Sequence, residues 1–269
     1  MESFFARRVE KLFRLSDQDA EKLALIVFPK FLLEIIRKYL RIEVEGLENI
    51  PRRGKAVVVP NHSGCAGIDA VMLGYLLNEK TGRIPRILTL WNFFKAFPLF
   101  EPIAEKLGLK EASTDNGIQL LKKNHMLVVF PEGEAGSFKP SSERYKLQRF
   151  HTGFVRMAIL TGAPIIPCVI IGAEETNINL ATLKLSKFVR PMLVPIPFNL
   201  LPLPAKWKIT FLKPIHLSDY SHVDINNKLK LHGIAADIRL KMQVAVEEEL
   251  KQRKYVYFPT RQQPNSPEI

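Results

Sequence analysis

The most constraining feature of this chain is a repeated switch between short β-branched runs and helical spacing. Ala56–Pro60 (AVVVP), Ile84–Trp91, Met126–Phe130 and Pro164–Ile171 are apolar runs rich in Val, Ile and Leu, the pattern of strands buried on both faces. Interleaved with them, Asp69–Leu77, Phe94–Leu107, Asn116–Lys123 and Thr152–Leu160 carry helical patterns, the second interrupted by Pro98 and Pro102. A late strand is expected at Trp207–Leu212 and a long amphipathic helix over Asn226–Arg253. Alternation of this kind builds an α/β fold: a single-domain layered sandwich, with a mostly parallel mixed sheet flanked by helices.

The N-terminal part reads differently. Residues 16–40 have helical spacing, with Ser16 as N-cap, Asp17 and Asp19 in the first turn, and a break or kink at Pro29. Phe31, Leu32, Ile35, Ile36, Tyr39 and Leu40 then fall on one apolar face, which suits either core packing or a bilayer surface. The expected organisation is an N-terminal helical, membrane-associating segment over 1–41, a main domain over 42–258 and a flexible tail over 259–269. No run approaches the ~20 apolar residues of a membrane span, and MESFFARRVEKLF lacks the apolar core of a signal peptide. The expected setting is cytoplasmic, peripheral or monotopic on a membrane.

Charge narrows the partners. The 39 Lys and Arg against 27 Asp and Glu leave a net +12, which favours nucleic acid, phospholipid surfaces or phosphorylated substrates. No nucleic-acid motif is present, and a nucleic-acid partner is not expected. Thr176–Ser218 contains no Asp or Glu, yet holds Lys184, Lys187, Arg190, Lys206, Lys208 and Lys213. Within it, Pro191–Pro204 is apolar and carries five prolines, which forbid a regular helix. Such a stretch is either packed as a crossover or in contact with lipid. The two cysteines, Cys65 and Cys168, exclude a disulfide scaffold and a Cys-rich zinc module.

Two clusters carry chemistry. After AVVVP comes Asn61-His62-Ser63-Gly64-Cys65-Ala66-Gly67-Ile68-Asp69. An imidazole just past a strand end, in a loop of small residues, is placed for a crevice at the sheet's carboxyl edge. Asp69 either accepts from one ring nitrogen of His62, leaving the other to take a proton, or simply caps the next helix. The second cluster, Phe130-Pro131-Glu132-Gly133, also follows a strand, and its backbone amides can face an anion. Downstream, Lys139, Arg144, Lys146 and Arg149 form a basic run, read either as an anion site or as a solvated loop. Cys65 is a rival nucleophile, and the remaining histidines have no metal-ligand spacing.

Together the clusters resemble the glycerolipid acyltransferases of the lysophosphatidate and glycerol-phosphate type. NHSGCAGID is similar to their first block, FPEG at Phe130–Gly133 matches their third, and APIIPCVIIG at Ala163–Gly172 resembles their fourth. Six residues separate His62 from Asp69 where the common form has four, which resembles the monoacylglycerol and diacylglycerol acyltransferase-like branch. Two arginines that serve phosphate recognition in the family are absent: Gly108–Ser113 has none, and FPEG continues Glu134-Ala135.

The resemblance implies transfer of a fatty acyl group from acyl-CoA or acyl carrier protein to a hydroxyl of a glycerolipid, lysophospholipid or glycerol phosphate at a membrane surface. In this reading His62 is the general base and Asp69 orients it. Glu132 and the Gly133 amide bind acceptor or the oxyanion, and Lys139, Arg144, Lys146 and Arg149 stand in for the missing arginines. No metal and no cofactor beyond the acyl donor is implied. The competing readings are a lipid thioesterase or hydrolase, against which no Gly-x-Ser-x-Gly elbow is present, and a non-catalytic lipid-binding protein.

Overall fold

The computed structural model describes residues 28–63, 67–89, 108–185 and 192–259. The expected helices over 16–27 and Phe94–Leu107, the rival Cys65 and the tail from 260 onward lie outside these residues. The chain divides into two compact units, Met1–Leu40 and Arg41–Ile269.

In the first unit, helix α1 spans Phe28–Tyr39. Pro29 is its second residue, where an absent backbone N–H leaves no bond unmade. Phe31, Leu32, Ile35 and Tyr39 are exposed, and Arg37 makes a forked bond to Glu34 on the polar side, with contacts of 2.9 and 2.7 Å.

The second unit is built on seven strands: β1 (Glu43–Glu45), β2 (Ala56–Pro60), β3 (Arg86–Thr89), β4 (Leu109–Glu111), β5 (Met126–Val128), β6 (Ile165–Ile171) and β9 (Lys208–Phe211). Their order is β1-β9-β6-β2-β5-β3-β4. Every pairing is parallel except β6 with β9, so the sheet is the mostly parallel, mixed one expected. Strands β2 and β6 are buried along their whole length, as strands rich in Val and Ile with no charged residue require.

Helices cover both faces. Helices α5 (Gly153–Thr161) and α7 (Lys228–Gln252) join Val57, Val59, Ile165, Val169 and Ile171 in one core. On α7 the buried residues Leu231, Ile234, Ala235, Ile238, Met242 and Val246 recur at spacings of one helical turn. Helix α2 (Ile68–Thr81) lies on the other face, where Gly74 approaches Ile87 so closely that a Cβ would fall 2.8 Å from its Cδ1. Helix α3 (Thr114–Lys122) starts at Ser113, whose hydroxyl accepts from Asn116 N. Two short turns, α4 (Glu134–Ser137) and α6 (Ala173–Thr176), sit just past β5 and β6.

Three elements differ from the sequence reading. β1 and β4 are three-residue strands at opposite margins of the sheet, too short and too charged to announce themselves. The proline-rich stretch, where no helix is expected, contains a strand the sequence does not announce. Met192–Pro197 forms β8, paired antiparallel with β7 (Asn179–Leu185) in a separate two-stranded sheet. Prolines are tolerated there because a strand with an unpaired edge has ladder positions that need no N–H donor.

Candidate active site

The sheet's register brings the two clusters together. β2 and β5 are parallel neighbours with Val58 opposite Val128, so His62 and Glu132 each lie four residues beyond a matched pair, at the same carboxyl edge. Their contact follows: the His62 backbone N–H donates to Glu132 Oε1 at 2.9 Å. Asn61 anchors the loop on its other side. Its amide nitrogen donates to Ile170 O at 3.0 Å and its oxygen accepts from Ile170 N at 2.7 Å.

His62 Nδ1 lies 2.7 Å from Asp69 Oδ2. The Asp69 side chain is fully buried, whereas 17% of the His62 side chain is exposed. Oδ2 also accepts from Ser63 N at 2.8 Å, and Oδ1 from Ala70 N at 2.8 Å. The carboxylate stands in the first turn of α2, where the helix dipole favours negative charge. Gly67 precedes the helix with φ +65°, a conformation that costs glycine little. With Nδ1 engaged, Nε2 has no hydrogen-bond partner among the described residues. One ring face is covered by Phe130 of the second cluster, whose ring centroid is 4.2 Å from that of His62.

Glu132 is 1% exposed. Its second oxygen accepts from Gln148 N at 2.6 Å. Burial pushes its carboxyl above the usual range, opposed by Lys139 and by the two backbone donors. Gly136 makes room for it, since a Cβ there would sit 2.5 Å from Glu132 Cβ. Both oxygens of Glu132 are therefore committed to the protein, tying the His62 loop to the segment around Gln148. The sequence assigns this carboxylate to the acceptor or the oxyanion; here its two oxygens accept from backbone amides.

The Gly133 N–H donates to Phe130 O at 3.2 Å, closing a turn. Its φ of +58° explains the glycine. Lys139, read as a substrate cation, is buried, with its ammonium 2.9 Å from Glu174 Oε1 and 3.2 Å from Lys146 O. Burial is the largest influence on Glu174 and raises its carboxyl, and Lys139 opposes that. The other three basic residues are exposed: Arg144, Lys146, and Arg149, whose guanidinium approaches the His232 ring at 3.4 Å. Arg144 lines a small polar pocket with Ser141, Asn177 and Asn179.

A network that sequence inspection missed holds this loop in place. Tyr145 takes φ +63°, a strained conformation for an aromatic residue. Its N–H donates to Glu174 Oε2 at 2.9 Å, its hydroxyl donates to Glu175, and that hydroxyl accepts from Gly172 N at 2.9 Å. Arg253, just past α7, closes the network on Glu175 at 2.8 Å. Burial and the adjacent Glu175 both push the phenol upward, so it stays protonated. Single aromatic and acidic residues far apart in sequence carry no local pattern that reveals such a cluster. Burial likewise holds the Cys168 thiol far above its usual range, which leaves it inert. Among the described residues, no cluster of three His, Cys, Asp or Glu could hold a metal, and no helix is long and apolar enough to cross a membrane.

Known proteins resemble this chain in sequence and in fold. The family model described as Acyltransferase matches residues 41–171, a span that includes both clusters. An uncharacterized protein of Mycobacterium tuberculosis is 36% identical over 234 residues, 82% of this chain and 65% of that protein. The chain thus spans a little under two thirds of that relative's length. A 1-acyl-sn-glycerol-3-phosphate acyltransferase of Cocos nucifera is 26% identical over 212 residues, covering 73% of this chain and 57% of that one. The crystal structure of the 1-acyl-sn-glycerophosphate acyltransferase PlsC from Thermotoga maritima shares the fold, with a TM-score of 0.55 at 19% identity over 93% of this chain and 90% of that one. By its sequence blocks and by the family match, residues 41–171 of this chain are similar to the acyltransferase family.

Proposed function

We propose that the protein is an O-acyltransferase, moving a fatty acyl group from acyl-CoA or acyl carrier protein to a hydroxyl of a glycerolipid or lysophospholipid at a membrane surface. The observation that carries this is the His62 Nδ1–Asp69 Oδ2 contact of 2.7 Å at the mouth of the parallel sheet, with Nε2 left without a partner among the described residues. Asp69 holds the proton on Nδ1, so Nε2 presents a lone pair. Nε2 takes the proton of the acceptor hydroxyl as its oxygen attacks the thioester carbonyl. The C–S bond of the tetrahedral intermediate then breaks, and the imidazolium returns the proton to the leaving thiolate. No acyl-enzyme and no cofactor is needed.

Glu132 acts through the main chain, fixing the height of His62 above the sheet. Arg144, Lys146 and Arg149 form an exposed cationic rim suited to an anionic head group, while Lys139 supports Glu174 from within. The segment over 1–41 supplies membrane attachment through the exposed apolar residues of α1, and 42–258 is the catalytic domain.

The test is acyl transfer by the full chain, from radiolabelled acyl-CoA to a panel of lysophosphatidate, lysophosphatidylglycerol and monoacylglycerol. A labelled diacyl product that disappears in His62→Ala supports the proposal. Release of free fatty acid with no labelled lipid from any acceptor would sink it in favour of a hydrolase.

A further inference from the structure

The β7–β8 hairpin is small, separate and greasy. A two-stranded antiparallel sheet is at best marginally stable alone in water, and this one pairs with no strand of the main sheet. Along it and just beyond, Phe198 is 70% exposed, Leu200 88% and Leu201 82%, with Leu180, Leu183 and Ile196 exposed beside them. Apolar residues so concentrated and so open mark a contact surface.

The hairpin is nevertheless held firmly at one end. Asn179 Nδ2 donates to Phe138 O at 2.8 Å and to Lys139 O at 3.1 Å, and Asn179 N donates to Ser141 Oγ at 2.9 Å. These bonds fasten β7 to the segment that follows Glu132. Asn199 secures the strand ends from the other side, with its oxygen accepting from Ile178 N at 2.8 Å and its nitrogen donating to Thr176 O at 3.0 Å.

We infer that this hairpin and the Phe198–Leu201 turn seat the protein in the interfacial layer of an anionic bilayer, beside the catalytic crevice. This rests on the acyltransferase reading above and adds to it a second element that meets lipid, besides α1. Charge decides between occupants. Lys184 is exposed, as is Arg144 near the Asn179 end of the hairpin, and the sequence from Thr176 to Ser218 holds no Asp or Glu to repel lipid phosphates. Pairing with a second copy by strand addition at β8 is disfavoured, because Pro195 and Pro197 stand within that strand and cannot donate to a new ladder. Docking through a hairpin fastened to the Phe138–Ser141 segment brings the crevice that follows β5 toward the lipid surface.

The experiment is flotation of the full chain with vesicles of phosphatidylglycerol and phosphatidylcholine. It compares the parent with a triple variant, Phe198→Ser, Leu200→Ser and Leu201→Ser, and with Lys184→Glu. The parent should bind, and the triple variant should lose binding by on the order of 30-fold or more. Lys184→Glu should lose a few-fold, more at low salt. The thermal midpoint of each variant should stay within a few degrees of the parent. In a Phe198→Trp variant, indole emission should shift to the blue on adding vesicles and be quenched by brominated lipid.

Binding by the triple variant equal to the parent would overturn the inference. So would an unshifted indole signal from vesicle-bound Phe198→Trp protein, or a loss of self-association in the triple variant with no change in flotation, which would assign the surface to a second copy. None of these readouts involves acyl chemistry, so the inference and the enzymatic reading can fail separately.

Discussion

Asn61 and Ile170 exchange two hydrogen bonds, of 3.0 and 2.7 Å, in which the asparagine side chain imitates the next rung of the β2–β6 ladder. β2 ends at Pro60, yet its grip on β6 continues past the last backbone pair. The loop that bears His62 is thereby launched from a rigid point. Asn61→Ala should cost about 1–3 kcal/mol, because two buried backbone groups lose their partner. Chemical denaturation measures the loss. The accompanying fall in turnover should exceed that of an exposed substitution on α7 such as Leu229→Ala.

His62 and Asp69 separate chemistry from folding. His62→Ala should lower transfer by at least 10²–10⁴-fold, the usual contribution of a positioned base, with little change in the unfolding midpoint, since the ring is partly exposed. Asp69→Asn keeps the volume but offers Nδ1 a different hydrogen-bonding group, so turnover should also fall. It should unfold more easily than His62→Ala, because Ser63 N and Ala70 N depend on the same carboxylate. Initial rates with calorimetry on both variants decide the matter.

Lys139 and Glu174 form a buried ion pair at 2.9 Å. Removing one partner leaves the other charged and unpaired, which typically costs 3–5 kcal/mol. Lys139→Met should therefore be strongly destabilising, and Glu174→Gln in the same chain should recover much of the loss. If Lys139→Met instead weakened substrate affinity with unchanged stability, its ammonium would be a ligand for substrate after all.

Glycine at 172 is required twice over. Its φ is +99°, and a Cβ there would fall 2.3 Å from Lys206 O. Gly172→Ala should cost about 2 kcal/mol or more. It should also disturb the Tyr145 hydroxyl, which accepts from Gly172 N. Thermal unfolding and the ultraviolet absorbance of tyrosine report both effects.

His125 provides a pH test remote from the chemistry. Burial, then Arg86, Lys123 and Arg83, hold its imidazole below the ordinary 6.5. The unfolded chain therefore takes up a proton there before the folded one does. Stability from this site is complete above about pH 6.5 and declines as pH falls through the depressed folded value. His125→Gln should flatten the stability curve in that acid window, as read by denaturant midpoints at a series of pH values.

The sheet was legible because unbroken Val and Ile runs, such as Ala56–Pro60, have few other uses. The two clusters were legible because each follows such a run. The partners of the functional groups were not. Nothing local in the sequence says that Glu132 is spent on the amides of His62 and Gln148, because that depends on the register of β2 against β5. The hairpin escaped notice for a different reason. Its prolines argue correctly against helix, but they do not report which edge of a strand is left unpaired.

The link from Ser63 N to Asp69 Oδ2 also bears on how the longer spacing between His62 and Asp69 is accommodated. One carboxylate oxygen grips both the imidazole of His62 and the main chain of the very next residue. The ring and the backbone that carries it therefore answer to a single atom, and whatever shifts Asp69 shifts both together.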